Sequence, residues 1–280
     1  MDKKIGIIGW IILAIMVGIA LFAPIIATYD PHSTAFSTFL RPSNEHLLGT
    51  NDIGQDIFSE LIYGTRNSLF VGFLSAVISV AIGTAIGIFS GWFGGTVDYI
   101  LMKITAIFMT IPFIPTVIIL SAFTRGGTYT IALILGIMSW TGTARVVRTQ
   151  TMSIKKKEYI MTIQAMGASS FYILTRHIIK EIFPYLFYRF TIRVKSGILS
   201  ESTLSFLGMG NPIQKSWGTI IYYAQAKNAL LTDSWLWWIL PPGICIAVVS
   251  CALMLVSYAM ESRVQKQMGD KYDKKRLRGR

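Results

Sequence analysis

Long apolar runs are the feature that most constrains how this chain can fold. The first covers residues 5–27, and five more follow at about 69–92, 99–123, 128–147, 184–207 and 235–260. A helix of about twenty apolar residues matches the thickness of a bilayer's hydrocarbon core. Charged residues make up only 14% of the 280 residues, whereas a soluble domain carries about 25%. We therefore predict an all-α membrane protein with six transmembrane helices.

Lysine and arginine are distributed unevenly around these runs. If the amino terminus is cytoplasmic, 18 of the 26 Lys and Arg residues fall on the cytoplasmic side. Five fall outside, at Arg41, Arg66, Arg125, Lys215 and Lys227, and three lie within the fifth run. Cytoplasmic loops of membrane proteins carry such an excess of positive charge. We predict that both termini are cytoplasmic, and the net charge of +12 then requires no nucleic acid as a partner.

The chain divides into three parts by composition. Residues 1–68 are predicted to form an N-terminal anchor helix and an extracytoplasmic segment. Residues 69–260 are predicted to form the transmembrane domain, whose largest cytoplasmic loop is 150–183. Residues 261–280 form a basic cytoplasmic tail, which we expect to be solvated and partly disordered. The tail could instead contact the anionic headgroups of membrane lipid.

Glycines and prolines predict where helices pack and where they bend. Gly83, Gly87 and Gly91 are four residues apart in the second run, so they share one helix face that another helix can approach closely. Pro112 and Pro115 remove backbone donors from the third run, and a bend is expected there. A proline pair near the outer end of the sixth run predicts a second break.

Sequence motifs of catalysis are absent. The sequence contains no GxxxxGK[ST] phosphate loop, no HExxH or CxxC and no GxSxG. His32, His46 and His177 are far apart, so no metal site is predicted. Cys245 and Cys251 lie within one apolar run and predict no disulfide framework. We predict that the chain is not an enzyme, has no catalytic residue and binds no cofactor, which leaves a channel or transporter subunit.

The segment between the fourth and fifth runs is amphipathic, and residues 158–184 read EYIMTIQAMGASSFYILTRHIIKEIFP. Ile160, Ile163, Met166 and Ala168 recur at nearly helical spacing, and a second helical run begins near residue 171 and ends at a proline. Since the sequence GAS separates the two runs, we predict a helix, a glycine turn and a second helix on the cytoplasmic side. Its apolar stripe could rest on lipid headgroups or fit a groove on a cytoplasmic partner, and the periodicity favours neither.

The fifth run carries charges that a membrane span rarely tolerates. Arg189 and Arg193 lie on one helix face, Lys195 lies beside them, and Glu201 follows two turns later. A charge at the bilayer centre costs about 2.5–3.5 kcal/mol on insertion scales. In one interpretation Arg189 reaches the cytoplasmic interface and Arg193 pairs with an acidic neighbour. In the other, all four residues belong to a translocation pathway, where Arg193 and Lys195 attract an anionic part of the cargo.

The amphipathic segment resembles the coupling loop of binding-protein-dependent ABC transporter permeases. The sequence QAMGAS resembles the family's RALGAS, RHII resembles its RHIL, and a proline follows near the end. The family's EAA triad is replaced by Met161, Thr162 and Ile163, and Lys180 stands where a proline is usual. The resemblance implies that the ATPase-coupling residues are Gln164, Ala165, Met166, Gly167, Ala168, Ser169, Arg176 and Pro184.

Two further stretches resemble the dipeptide, oligopeptide and nickel permeases of this family. Residues 46–72, HLLGTNDIGQDIFSELIYGTRNSLFVG, resemble HPLGTDxxGRDxxSRLLYGxRxSLxVG, with Gln55 in place of the arginine. Residues 198–218, ILSESTLSFLGMGNPIQKSWG, resemble ILxEASLSFLGLGxxPPxPSWG, and Glu201 matches the family's glutamate. We expect Glu201 to be structural or gate-forming. Asp56 is expected to cap a helix, although its segment could instead help a binding protein to dock.

The resemblance implies a fold, partners and a function. It implies a type I ABC importer permease with six transmembrane helices in a bacterial or archaeal cell membrane, and specifically the second permease of a heterodimer. The other partners would be two ABC ATPases, which bind ATP and Mg²⁺, and an extracytoplasmic substrate-binding protein. The cargo would be a di- or oligopeptide or a related small molecule. A nickel or metal-chelate importer of the same architecture, and a channel subunit that needs no ATPase, remain as alternatives.

Overall fold

The computed structural model describes the backbone of residues 2–124 and 127–278 and the side chains of residues 4–124 and 127–261. Within these residues the chain is helical and has no β-strand beyond an isolated bridge between Thr50 and Asp56. The predicted all-α class is confirmed. Arg125 and the basic side chains of the tail, on which the charge distribution partly rests, lie outside the described residues.

The amino-terminal part consists of α1 (Asp2–Leu21) and the short α2 (Ala23–Ile26). α1 ends earlier than the first apolar run because Pro24 lies in the first turn of α2 and has no N–H with which to continue α1. The extended segment that follows leads to the central helix, α3 (Ile57–Phe93).

α3 begins well before the predicted start of the second run at residue 69. Asp56 caps it, because its Oδ2 accepts a hydrogen bond from the Ser59 N–H at 2.8 Å. No proline interrupts the 37 residues that follow. The predicted cap is confirmed, but the expected domain boundary between residues 68 and 69 falls inside one continuous helix. Buried apolar side chains of the described residues form four clusters, and α3 contributes to each, through Ile57, Val71, Ala76 and Ile88.

Two bent helix pairs follow α3. α4 (Gly95–Thr110) and α5 (Phe113–Phe123) meet at 84°, so the bend predicted from Pro112 is confirmed. α6 (Thr128–Met138) and α7 (Thr141–Lys155) meet at 45° although no proline lies between them. α7 extends beyond the predicted end of the fourth run, so the cytoplasmic loop expected to start at residue 150 begins inside a helix.

The segment after α7 contains α8 (Glu158–Ala165) and α9 (Ser170–Ile173), and a π-helical turn then joins α9 to α10 (Ile179–Leu204). The predicted boundary at Pro184 is wrong, because Pro184 lies inside α10. A proline removes one backbone hydrogen bond. The buried Ile182 beside it holds this turn of the helix in the core.

The carboxy-terminal part contains α11 (Trp217–Ala226), α12 (Trp235–Trp238) and α13 (Leu240–Arg278). The predicted break in the sixth run lies between α12 and α13, where Pro241 and Pro242 occupy the first turn of α13 and need no intrahelical acceptor. The backbone of α13 is helical to Arg278, past the predicted end near residue 260 and through the expected basic tail.

Helix length and composition bear on the number of membrane spans. In the described part of the chain, three helices are long and apolar enough to cross a bilayer, at Lys4–Leu21, Ile57–Phe93 and Trp235–Glu261. The number rises to five if each bent pair is one span. α10 has the length of a span, but it contains the charged residues of the predicted fifth run. Six spans therefore remain a prediction.

The three glycines of the second run lie against α7. A Cβ atom would lie 2.8 Å from the Trp140 carbonyl oxygen at Gly83, 2.6 Å from that of Ala144 at Gly87, and 2.7 Å from that of Arg148 at Gly91. These oxygens belong to the backbone of α7 or to its N-cap residue, so they cannot rotate away as a side chain would. Only glycine allows α3 and α7 to approach this closely.

We expect Gly87→Ala to lower the thermal stability of the purified protein by about 1–3 kcal/mol or more, because overpacking against a backbone forces two helices apart. Gly18→Ala in α1 is the matched control, since no atom of the described residues lies within 4 Å of a Cβ there. Both substitutions gain the same helix propensity of about 0.5–1 kcal/mol. Equal unfolding temperatures for the two variants would contradict the close packing.

Candidate functional site

The turn between α8 and α9 is built by the Gly-Ala-Ser sequence. Gly167 has a φ of 85°, and its N–H donates to the Gln164 carbonyl at 3.1 Å. The N–H of Ala168 donates to the Ile163 carbonyl at 3.3 Å. These two bonds form a Schellman motif, which ends a helix on a left-handed residue. Ser169 then caps α9 by accepting from the Tyr172 N–H at 3.3 Å, and the predicted helix–turn–helix is confirmed.

One face of this hairpin, residues 158–178, is anchored in the core. Ile160, Ile173 and Ile178 are fully buried. They share a cluster with Trp92 of α3 and Ile154 of α7. Burial of one such side chain contributes about 1.5–3 kcal/mol. The same cluster includes Ile182 of α10. The hairpin is therefore packed against α3, α7 and α10, and we expect it to move together with these helices.

Polar contacts also connect the helices near the hairpin. Lys157 forms an ion pair with Glu181 of α10, and the Tyr159 hydroxyl donates to the same carboxylate at 2.7 Å. Burial and then this hydrogen bond raise the pKa of Tyr159 above its ordinary value, so the phenol stays a donor at neutral pH. Arg148 of α7 makes two 2.5 Å bonds to the Asp98 carboxylate of α4, a bidentate pair.

The opposite face of the hairpin is apolar and exposed. Met166 is 81% exposed and Phe171 is 76% exposed, and Met161 is exposed as well. The predicted stripe does not form one exposed face: Ile160, Ile163 and Ala168 pack on the core, and of the four residues only Met166 is exposed. The reason is that α8 ends at Ala165, so helical spacing no longer applies beyond it. We call Met161, Met166, Phe171 and the half-exposed Tyr172 the hairpin patch.

The eight predicted coupling residues do not all lie together. Gln164 to Ser169 form the tip of the hairpin, and all six are at least partly exposed. Arg176 lies on the π-helical turn and Pro184 lies on α10, and both are exposed and outside the tip. The hairpin patch exposes methionine and aromatic side chains beside the tip in sequence, and such adaptable side chains suit contact with another protein.

Two arginines of α10 converge on the start of α7. A Cβ atom built on Gly142 would lie 2.9 Å from Nη2 of Arg193 and 3.4 Å from Nη2 of Arg189. No carboxylate within residues 4–124 and 127–261 forms an ion pair with either guanidinium, so the expected acidic partner of Arg193 is not observed. Lys195 is not part of this pair, because residues two apart on a helix point in different directions.

Glu201 lies apart from these cations. It is 3% exposed, and its carboxylate accepts hydrogen bonds from Ser205 at 2.7 Å and from Ser68 and Ser202 at 3.4 Å. The Ser68 hydroxyl accepts in turn from the Trp217 N–H at 3.1 Å. Glu201 therefore joins α10 to α3 and α11, whereas the arginine pair joins α10 to α7.

A buried ion pair that the sequence did not reveal lies near the start of α3, at the end of that helix away from the hairpin. Lys215 Nζ lies 2.8 Å from Oε1 of Glu60, and both side chains are nearly inaccessible to solvent. Asn51 also donates to this carboxylate, at 3.1 Å. Nearby, Nδ1 of His46 lies 2.9 Å from the Asp56 carboxylate that caps α3. Glu60 and Lys215 are far apart in the sequence, so no local pattern could have paired them.

Sequence comparison relates the chain to a family of transport proteins. The family model of the binding-protein-dependent transport system inner membrane component matches residues 83–268. That of the N-terminal TM domain of oligopeptide transport permease C matches residues 1–44.

Individual relatives agree with this match. The oligopeptide transport system permease protein OppC of Bacillus subtilis (strain 168) is 35% identical over 221 residues, which cover 78% of this chain and 72% of the relative. The dipeptide transport system permease protein DppC of the same strain is 30% identical over 273 residues, which cover 95% of this chain and 83% of the relative.

Structure comparison gives the fold. A chain from the inward-facing MetNI methionine ABC transporter superimposes with a TM-score of 0.57 at 21% identity, covering 75% of this chain and 97% of that chain. At this identity the likeness concerns the fold alone, and it confirms the predicted type I ABC importer permease fold.

Proposed function

We propose that this chain, which belongs to the binding-protein-dependent transport permeases and among them to the C-type peptide permeases, is one subunit of an ATP-driven importer of di- and oligopeptides. Members of this family are transport subunits and not enzymes, and the ATPase is a separate chain. The cargo is proposed from the relatives, whose names specify oligopeptides and dipeptides.

The observation that carries the proposal is the hairpin, with one face fixed in the core and the other exposed and apolar. We assign the hairpin patch to a groove on an ATPase partner, in preference to a resting place on lipid headgroups. Hydrolysis of ATP with Mg²⁺ on the partner would move the groove. Since the buried isoleucines tie the hairpin to α3, α7 and α10, the same motion would tilt those helices.

The complete transporter would contain a second, homologous permease, two ABC ATPases and an extracytoplasmic binding protein. In this arrangement the chain forms half of the translocation pathway in a bacterial or archaeal cell membrane. It would cross the membrane six times with both termini in the cytoplasm, and α10 would be the fifth span. The charges of α10 fit that role because the arginines lie against α7 and the buried glutamate is surrounded by hydroxyl groups.

The positions of the four predicted pathway residues suggest different roles for them. We propose that the pair Arg189 and Arg193 supplies positive potential to the pathway, since both guanidinium groups lack a carboxylate partner in the described chain. Glu201 is proposed to hold the outer ends of α3 and α11 in place, because its hydrogen bonds enclose it. We propose that Lys195 also contributes positive potential to the pathway, but less than the arginine pair does.

We expect Arg193→Leu to reduce the uptake of peptides with a free carboxylate about tenfold, because a charge-assisted contact is worth roughly 1.5–3 kcal/mol. Uptake of radiolabelled peptide into proteoliposomes measures the effect. Lys195→Leu removes the same charge two residues away and should have a smaller effect. Unchanged uptake by Arg193→Leu at normal expression would contradict the role in the pathway.

The function itself is tested by co-purification and reconstitution. An affinity-tagged chain should retain an ABC ATPase, and vesicles with the purified complex should take up peptide only when ATP is supplied. A complex without a nucleotide-binding chain, or an ion conductance that needs no ATP, would contradict the proposal and favour a channel.

A further inference from the structure

The apolar core barely holds α4. Of its 16 residues, all of which the structure describes, only Thr105 is buried. None of them belongs to the four apolar clusters, although α3 before it and α5 after it both contribute side chains. The Thr105 hydroxyl donates to the Leu101 carbonyl at 2.7 Å, within its own helix. Packing against apolar side chains therefore contributes little to the position of α4.

The two ends of α4 do not fix its direction either. Gly94 joins it to α3 with a φ of 66° and a ψ of −158°, a backbone region nearly restricted to glycine. No described atom lies within 4 Å of a Cβ built at Gly94, so no side chain braces this junction. At the other end, the Phe108 ring lies 5.4 Å from the ring of Trp140, the N-cap residue of α7. One ring contact cannot fix the direction of a helix, so a second contact near its start is needed.

Asp98, in the first turn of α4, supplies that second contact. Its carboxylate accepts from Nε and Nη2 of Arg148 on α7, each at 2.5 Å, and from the Ser90 hydroxyl on α3. In the described part of the chain, no other side chain of α4 hydrogen-bonds another helix. The Asp98 side chain is 18% exposed and that of Arg148 is 30% exposed, so salt screens this pair less than a surface pair. The bidentate geometry also fixes the direction of the contact.

The part of α7 that carries Arg148 is packed against the hairpin. Val147, the residue before Arg148, and Ile154 share one buried cluster with Ile160 and Ile173 of the hairpin. A movement of the hairpin would therefore carry Arg148 with it. Since α4 contributes nothing to this cluster, its link to the movement is the carboxylate of Asp98.

We propose that Asp98 and Arg148 are positioning residues that transmit the movement of the hairpin to α4. When α7 tilts, the ion pair turns α4 with it, and the bent junction passes the motion to α5, whose Val117 packs in the core. Neither residue needs to touch the cargo. The inference rests on the proposed function, in which an ATPase moves the hairpin, and it adds α4 to the helices that respond.

The functional test measures peptide uptake and ATP hydrolysis by the complete transporter in vesicles. Asp98→Ala should still co-purify with the ATPase and hydrolyse ATP, but it should lose most of the uptake per ATP hydrolysed. This ratio does not change when a variant merely lowers the amount of folded protein. Lys103→Ala is the matched control, because Lys103 is an exposed charge of α4 that bonds Tyr99 of its own helix, and its ratio should equal that of wild type. Exchanging the charges, with Asp98→Arg and Arg148→Asp together, should restore the ratio because it re-creates the ion pair.

Spin labels measure the link between the helices directly. Ile107→Cys on α4 and Met152→Cys on α7 place labels at two exposed positions, in a chain whose native cysteines are replaced by alanine. With the ion pair intact, the distance between the labels should be narrowly distributed and should stay the same when ATP is added. In Asp98→Ala the distribution should broaden and should change with ATP.

Three results would overturn the inference. One is a normal ratio of uptake to hydrolysis in Asp98→Ala, another is an equal loss of uptake and hydrolysis, and the third is a label distance that Asp98→Ala leaves unchanged. Failure of the proposed function is a different result, since the wild-type complex would then take up no peptide with ATP. The spin-label distances without ATP would still show whether the ion pair holds α4 on α7.

Discussion

Gly167→Asp is expected to leave the subunit in the membrane and to abolish peptide-stimulated ATP hydrolysis. The chain itself has room for the new side chain, because nothing described lies within 4 Å of a Cβ at Gly167. The backbone cost is small: the left-handed region at a φ of 85° costs a non-glycine residue about 1–2 kcal/mol, and aspartate is among the residues that tolerate it best. The large effect would come from the partner, since a side chain at the tip would hold the ATPase groove away from the hairpin patch.

Gly95→Asp is the matched control for this prediction. Gly95 also has a positive φ, 50°, and also has no neighbour within 4 Å among the described atoms. It lies at the start of α4, at the same end of the molecule as the hairpin but outside it. We expect near-normal transport from Gly95→Asp in proteoliposomes. Normal coupling in Gly167→Asp, or an equal loss in both variants, would contradict a docking role for the tip.

The second large effect is expected at the buried ion pair between Glu60 and Lys215. Lys215→Met should destabilise the protein by about 3–5 kcal/mol, because it leaves the Glu60 carboxylate buried without its counter-charge. Adding Glu60→Gln should restore much of the loss, since glutamine is uncharged and can still accept the hydrogen bond from Asn51. Unfolding temperatures of the purified single and double variants measure the difference.

This prediction concerns the interaction energy between two residues, so the stability of the double variant must be compared with that of each single variant. The pair links the start of α3 to the segment before α11, and the outer loops should become more accessible to protease when it is broken. If Lys215→Met is as stable as the double variant, the buried charge of Glu60 is not the source of the destabilisation, and this account of the ion pair is wrong.

The existence of the helices could be predicted from the sequence, but several of their ends could not. Apolar runs indicate what enters a bilayer, and this signal is strong in α1, α3 and α13. It does not show where the backbone hydrogen bonds of a helix begin or end. α3 therefore starts directly after Asp56, whose cap lies outside the apolar run. α10 continues through Pro184 because the core on one side of the helix outweighs one lost hydrogen bond.

The candidate site was predictable to the extent that it depends on local chemistry. The Gly-Ala-Ser turn follows from the left-handed preference of glycine and the capping preference of serine. The exposure of Met166 did not follow, because helical spacing fails once α8 has ended. The convergence of Arg189 and Arg193 on Gly142 depends on how α10 packs on α7. Nothing in the sequence near either helix specifies that contact.

The central claim is that the hairpin faces the cytoplasm and docks on an ATPase, and cysteine cross-linking tests it most directly. Met166→Cys would be placed in a chain whose two native cysteines, Cys245 and Cys251, are replaced by alanine. The account predicts a cross-linked product with the ATPase subunit that changes in yield when ATP is added, and no labelling of intact cells by a membrane-impermeant maleimide. Labelling from outside the cell, or a complex in which the introduced thiol cross-links to no nucleotide-binding chain, would contradict it.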